Sequence, residues 1–218
     1  MWQFLLVALS LLPAQAAPSS APSATEVLTK VQKYYETTKK LSADFKQTYT
    51  NVVFGKSSES HGKVFVKKPG KMRWDYKKPE PKHFISDGTT LWVYEPSNKQ
   101  AFKQDLKAVV LPVALTFLFG EGDLAKDFTP SLDPGKYGGA SDLVLKLVPK
   151  KPSAQFKHLW LVVDSKDFYV KESIILEASD NLNRFLFFNI KLNDQVKVED
   201  KHFKFKPPAG VKILEPEK

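Results

Sequence analysis

The sequence predicts a mainly β fold with helices (α+β), organised around one large, curved antiparallel sheet. Three observations point there. About eleven short runs show strand alternation and are separated by turn residues. Several of those runs are apolar on both faces. A single amphipathic helical stretch precedes them. Strands that are apolar on both sides need a partner on each side, or a cavity that holds no water. A sheet closed or half-closed on itself, with short helices at its mouth, meets that demand. A filled β-sandwich meets it too, and the pattern alone leaves the two open.

Taken in order, "MWQFLLVALSLLPAQA" holds an apolar run from Phe4 to Leu12 and then Ala14-Gln15-Ala16, a small-x-small cleavage pattern. It reads as a secretory signal peptide over residues 1–16, cleaved near Ala16, although "MWQ" carries no basic residue. "APSSAPSA" (17–24) reads as a flexible tether, and residues 25–218 as a single domain. "TEVLTKVQKYYETTKKL" predicts a helix with Thr25 at its N-cap and a stripe of Val27, Leu28, Val31, Tyr34, Tyr35 and Leu41. In "KMRWDY", Met72, Trp74 and Tyr76 share one face, while Lys71, Arg73 and Asp75 share the other. In "TLWVYE", Trp92 and Tyr94 oppose Leu91 and Val93. "LVLKLV" puts Leu143, Leu145 and Leu147 together, and "RFLFFNI" is apolar on both faces. "SDG" (86–88), "EPSN" (95–98), "DPGKYGG" (133–139) and "SDNLN" (179–183) supply turns.

Apolar helices are expected near 107–128, where "VVLPVALTFLF" (109–119) stands out. It carries no charge and is too short for a bilayer, which needs about 20 apolar residues. Pro112 cannot donate in a ladder, so the helix it permits runs from about Pro112 to Phe119, ~12 Å long. Such a segment suits a cap over something greasy.

Composition excludes several classes. Without cysteine there are no disulfides, thiolate metal sites, cysteine nucleophiles or lipid attachment at cysteine. The net charge of +9 comes almost wholly from lysine, the arginines being Arg73 and Arg184. The lysines fall in scattered pairs (Lys39-Lys40, Lys67-Lys68, Lys77-Lys78, Lys150-Lys151), which suits a solvated surface or an anionic membrane face or acidic partner. Base readout and phosphate clamps favour arginine, so no nucleic-acid partner is expected. His61, His83, His158 and His202 lie far apart without metal-ligand spacing, so neither metal nor cofactor is expected. "GKSSES" (55–60) resembles the end of a phosphate loop, but Thr50 stands where its first glycine belongs. No nucleophile elbow or spaced base suggests an enzyme.

Two stretches carry more than generic pattern: "GKVFVKKPGKMRWDYKKPEPKHFISDGTTLWVYEPSNKQ" (62–100) and "HFKFKPPAGVKIL" (202–214). They resemble the periplasmic outer-membrane lipoprotein carriers of the LolA family, through a basic residue and proline, Trp, S-D-G, L-W and Y-x-P in the first and F-x-F-x-P-P-x-G-V in the second. The similarity extends more loosely over about residues 25–214. The resemblance implies an incomplete antiparallel β-barrel of about eleven strands with an α-helical lid over an apolar cavity for acyl chains. It places Met72, Trp74, Phe84, Trp92 and Tyr94 in that cavity and Leu111, Leu115 and Leu118 in the lid. Family members often carry arginine before the proline, where it holds the lid closed. Here that residue is Lys68, which lacks the planar fork, and Arg73 is the other candidate for lid control. The implied function is a monomeric periplasmic carrier and not an enzyme. It would take triacylated or diacylated lipoproteins from an inner-membrane ABC-type release complex to an outer-membrane lipoprotein acceptor. Two alternatives use the same fold: a carrier of another lipid or glycolipid, and a lipid-sensing envelope regulatory module.

Overall fold

The computed structural model describes residues 21–108 and 123–215 of the chain. The proposed leader, Pro112 and the lid residues Leu111, Leu115 and Leu118 lie outside the described residues. Helix α1 (Ala24–Thr37) opens the described chain. Its N-cap is Ser23, not Thr25: the Ser23 hydroxyl accepts the Glu26 N–H, and the Glu26 carboxylate accepts the Ser23 N–H at 2.7 Å. This reciprocal pairing satisfies two groups that Thr25 would leave open, so the helix starts inside the stretch read as tether.

The strands are β1 (Lys40–Asn51), β2 (Lys56–Lys67), β3 (Lys71–Lys78), β4 (Lys82–Asp87), β5 (Thr90–Glu95), β6 (Gln100–Asp105), β7 (Phe128–Leu132), β8 (Asp142–Pro149), β9 (Phe156–Asp164), β10 (Val170–Glu177), β11 (Leu182–Leu192) and β12 (Lys212–Leu214). They form one sheet in the order β12-β6-β5-β4-β3-β2-β1-β11-β10-β9-β8-β7. The order does not close on itself, which decides against the sandwich and for a single open sheet. Neighbours pair antiparallel except β12, which runs parallel to β6. The expected turn chemistry holds at 86–88: the Ser86 hydroxyl donates to the Gly70 carbonyl and accepts the Gly88 N–H, while Asp87 accepts the N–H groups of Thr89 and Thr90. "GKSSES" lies in the first hairpin and the start of β2, not in a phosphate loop.

One hydrophobic core fills the concave face. Val27, Leu28, Val31 and Tyr35 of α1 pack with Leu41 and Phe45 of β1, Val64 of β2, Met72 and Trp74 of β3, Leu145 and Leu147 of β8, Leu161 of β9 and Phe185 and Phe187 of β11. Strands from both wings therefore share one cluster, because the sheet curls round the helix. The Tyr35 hydroxyl accepts the Val170 N–H at 3.0 Å, fixing the helix to the start of β10, and burial pushes that phenol's pKa up.

The apolar outer positions have their own covers. Trp160, Val144, Val162 and Ile174 form a second cluster beneath Tyr137, which belongs to the turn read at 133–139. The Trp160 indole donates to Asp133 at 2.7 Å, and Lys136 Nζ sits 4.2 Å from its ring centroid. On the other wing the segment 193–212 crosses the sheet as an outer strap, with Val196 and Phe203 buried.

Gly62 on β2 is a point of close approach. A Cβ there would lie 2.1 Å from the Asp75 carbonyl oxygen and 2.6 Å from the Phe45 ring. Gly62→Ala should destabilise the fold by about 2 kcal/mol and lower its thermal midpoint by roughly 4–8 °C, read by circular dichroism. An unchanged midpoint would show that β3 yields at no cost.

Candidate functional site

Strand alternation and register bring aromatic side chains together on the concave face. Val64, Trp74, Phe84 and Val93 stand opposite one another across β2 to β5 and so share that face. Phe45 lies at the centre, its ring centroid 4.9 Å from those of both Trp74 and Tyr76. Trp74 meets Phe185 edge-on at 5.7 Å, and Phe187 stacks parallel to Phe185 at 6.3 Å. Tyr76 reaches on to Phe84 at 6.1 Å. Met72 lies on the same face and is buried beside them. Within this cluster the Trp74 indole N–H, with the residue only 4% exposed, has no well-formed hydrogen bond among the described residues. Burial raises the pKa of the neighbouring Tyr76 phenol, against the smaller opposing pull of the Trp74 N–H.

The apolar face reaches solvent where two strands part. Pairing of β10 with β11 stops at Glu172 and Leu186, whereas β1 follows β11 to Leu192. A groove of about 700 Å³ opens there, lined by Tyr34, Tyr169, Phe187, Ile190 and Leu192, with Asp167 and Lys171 also in its wall. Burial raises the Tyr34 pKa to about 12, so this hydroxyl stays neutral at physiological pH. Phe187 belongs both to the aromatic cluster and to the groove.

Met72, Trp74 and Phe84 are thus brought together as expected, but Trp92 and Tyr94 are not. They point to the convex face, opposite Leu91 and Val93, because Trp92 stands across from Ile85 and Tyr94 from His83. Their rings pack on Phe205 of the strap at 5.5 and 5.0 Å. The doubly apolar strand "TLWVYE" was legible, but which face turned inward was not. Phe45, Tyr76, Phe185 and Phe187 are the cluster members not singled out as site residues. The period-two run Leu41, Ala43, Phe45 carried the missing signal for the first of these.

Both basic candidates make contacts within the described residues, whereas the lid residues they were assigned to control lie outside them. The Lys68 ammonium donates to the Tyr35 carbonyl in the last turn of α1, where a cation also meets the negative end of the helix dipole. Arg73 lies on the convex face, its Nε 2.8 Å from the Asp75 carboxylate and its Nη1 3.3 Å from the His202 carbonyl of the strap. His83 contacts the other Asp75 oxygen at 2.6 Å. Burial alone would raise the Asp75 pKa, but the His83 and Arg73 hydrogen bonds overcome it and hold the carboxyl below the ordinary range. Lys67 and Lys71 both bind Asp200 of the strap and hold its carboxyl down at about 2. Among the described residues no group of three or more His, Asp or Glu could hold a metal ion.

The family profile described as "Outer membrane lipoprotein carrier protein LolA" matches residues 36–206. The chain belongs to this LolA family. An outer-membrane lipoprotein carrier protein from Methylococcus capsulatus is 30% identical over 189 residues, covering 85% of this chain and 86% of the relative. Another from Chromobacterium violaceum is 28% identical and covers 91% of this chain and 92% of its own. Among solved structures, an uncharacterized conserved protein from Thermus thermophilus shares the fold. Its TM-score is 0.56 at 13% identity, covering 88% of this chain and 99% of that one. The LolA match takes in the aromatic face, Lys68 and most of the strap.

Two outcomes follow from these contacts. Lys68→Met should cost about 1 kcal/mol in urea unfolding by removing the cation at the end of α1, while Lys68→Arg retains most of that stability. Asp75 and Asp200 both titrate lower in the folded chain than the ordinary ~3.9 of an unfolded aspartate. The stability they supply is therefore fully present above about pH 4 and lost as pH falls through their folded values. Wild type should lose more stability than Asp200→Asn between about pH 4.5 and about pH 2.5 in urea unfolding; equal losses would show that Asp200 does not anchor the strap.

Proposed function

We propose that this LolA-family chain is a periplasmic carrier that shields the acyl chains of triacylated or diacylated lipoproteins against its concave face and catalyses no reaction. It receives its cargo from an ATP-driven ABC-type release complex in the inner membrane and yields it to an outer-membrane lipoprotein acceptor. The observation that carries this reading is the continuity of the aromatic face with the groove between β10 and β11, through Phe187. A purely structural core needs no such opening.

The energetics set what the carrier must do. Burying an acyl chain is worth about 0.8 kcal/mol per CH₂, or roughly 12 kcal/mol for sixteen carbons. Two or three such chains exceed the ceiling of noncovalent affinity, about −18 to −21 kcal/mol, so the lipoprotein does not leave a bilayer unaided. A carrier has to offer a competing apolar surface and still let go. Met72, Trp74 and Phe84 form that surface with Phe45 and Phe187, while Leu111, Leu115 and Leu118 contribute from the lid. Lys68 acts on closure through the end of α1, and Arg73 through the strap.

The test is transfer from lipoprotein-bearing inner membranes to the mature chain, with native mass spectrometry of the released complex. A mass shift equal to a lipoprotein is expected for wild type. An acidic group on the face, in Trp74→Glu or at half-buried Phe84→Glu, should cut transfer at least about tenfold, while Lys204→Glu at an exposed position of the strap leaves it unchanged. Folded variants that transfer normally would remove the face from the mechanism. Recovery of a glycolipid in place of a lipoprotein would reassign the cargo.

A further inference from the structure

The β1–β2 hairpin ends in Val52-Val53-Phe54-Gly55, a turn without a polar side chain, whereas the other turns of the described sheet carry Lys, Glu, Asp, Asn, Ser or Thr. Val52, Val53 and Phe54 are 52%, 80% and 74% exposed, side by side at one apex. The apex is built rather than loose. The Asn51 side chain accepts the Phe54 N–H at 3.0 Å, the Thr50 and Ser57 hydroxyls pair at 2.9 Å, and Asn181 of the neighbouring turn accepts the Val52 N–H at 3.1 Å. Gly55 closes it at φ +59°, with open space around its Cα. Hydrogen bonds therefore hold three apolar side chains out into water.

Antiparallel pairing puts the turns at 79–81, 96–99, 150–155 and 178–181 at the same end of the sheet as this apex. Exposed Lys56, Lys77, Lys78, Lys99, Lys150 and Lys151 stand on them or beside them. The acids at this end include Glu80, Asp123, Asp127 and Glu177, together with Glu95 and Asp180, which are already paired with Lys82 and Lys157, so the exposed lysines stay in excess. We propose that this end is a membrane-contact surface. The Val52-Val53-Phe54 apex enters the apolar edge of an anionic bilayer, and the surrounding lysines lie among its headgroups. A convex apex offers no concavity for a partner's side chain, whereas a fluid bilayer closes round it. A lysine ring about an apolar tip matches the layering of an anionic membrane surface. The inference does not depend on the carrier reading, since it concerns a surface away from the aromatic face.

The mature chain is mixed with vesicles of phosphatidylglycerol and phosphatidylethanolamine, or of phosphatidylcholine alone, and sedimented at low and high salt. Wild type should pellet with the anionic vesicles, less at high salt, and weakly with phosphatidylcholine. The variant with Val53→Ser and Phe54→Ser should bind at least about tenfold more weakly at unchanged thermal midpoint. Trp74→Glu should pellet like wild type, which separates apex contact from lipid uptake by the concave face. Phe54→Trp should gain a blue-shifted emission on vesicle addition. Equal binding by the double serine variant, or no shift from Phe54→Trp, would overturn the proposal. So would binding to envelope membranes but not to pure lipid, which would identify a protein receptor instead.

Discussion

A single open sheet of this breadth has two large faces, and its strands are apolar on both of them over much of their length. Water can satisfy neither. The rest of the described structure answers that constraint: α1 occupies the concavity, the strap covers the outer side of one wing, and the loop bearing Tyr137 covers Trp160 on the other. Each cover is secured by polar contacts at its rim, such as Tyr35 to Val170, Arg73 to the His202 carbonyl of the strap, and Trp160 to Asp133. The apolar area supplies the driving force, while these contacts choose one arrangement of the covers over others.

The two faces differ in how they are covered, and that difference bears on the carrier reading. The outer covers follow directly in sequence from the strands they pack on or are tied by ion pairs, as Asp200 is by Lys67 and Lys71. The inner cover includes a helix whose last turn is held by the Lys68 ammonium, beside a sheet whose strands part at Leu186. Tyr34 of that helix lines the groove at this parting, so the inner cover borders the opening that the carrier reading requires.

Much of this architecture was legible in the residues. The breadth of the sheet followed from the number of strand runs; strands with two apolar faces fitted an open sheet and a sandwich alike, and the family resemblance pointed to the open one. Met72, Trp74 and Tyr76 fell on one face by simple alternation, and they do share the concave side. Alternation fixes which residues travel together but not which set turns inward, and Trp92 and Tyr94 show the limit. The choice depends on Phe205, more than a hundred residues downstream, and no local pattern announces it. Thr25 failed as a cap for a similar reason in miniature: Ser23 wins because Glu26 lies three residues beyond it. Arg73 was correctly placed opposite Trp74, yet its partner on the strap, the His202 carbonyl, is a backbone atom that no residue type reveals.

The open order of the sheet has one more consequence, which concerns other copies of the same chain. An unclosed sheet ends in two edges, and each is a template on which a neighbouring polypeptide can add a strand. Here one edge is the short β12, which runs parallel to β6 and caps it. The other is β7, where Pro130 removes a donor from the middle of a five-residue strand. Both edges are therefore poor seeds for polymerisation. The described sheet can stay unclosed without recruiting its own kind into fibres.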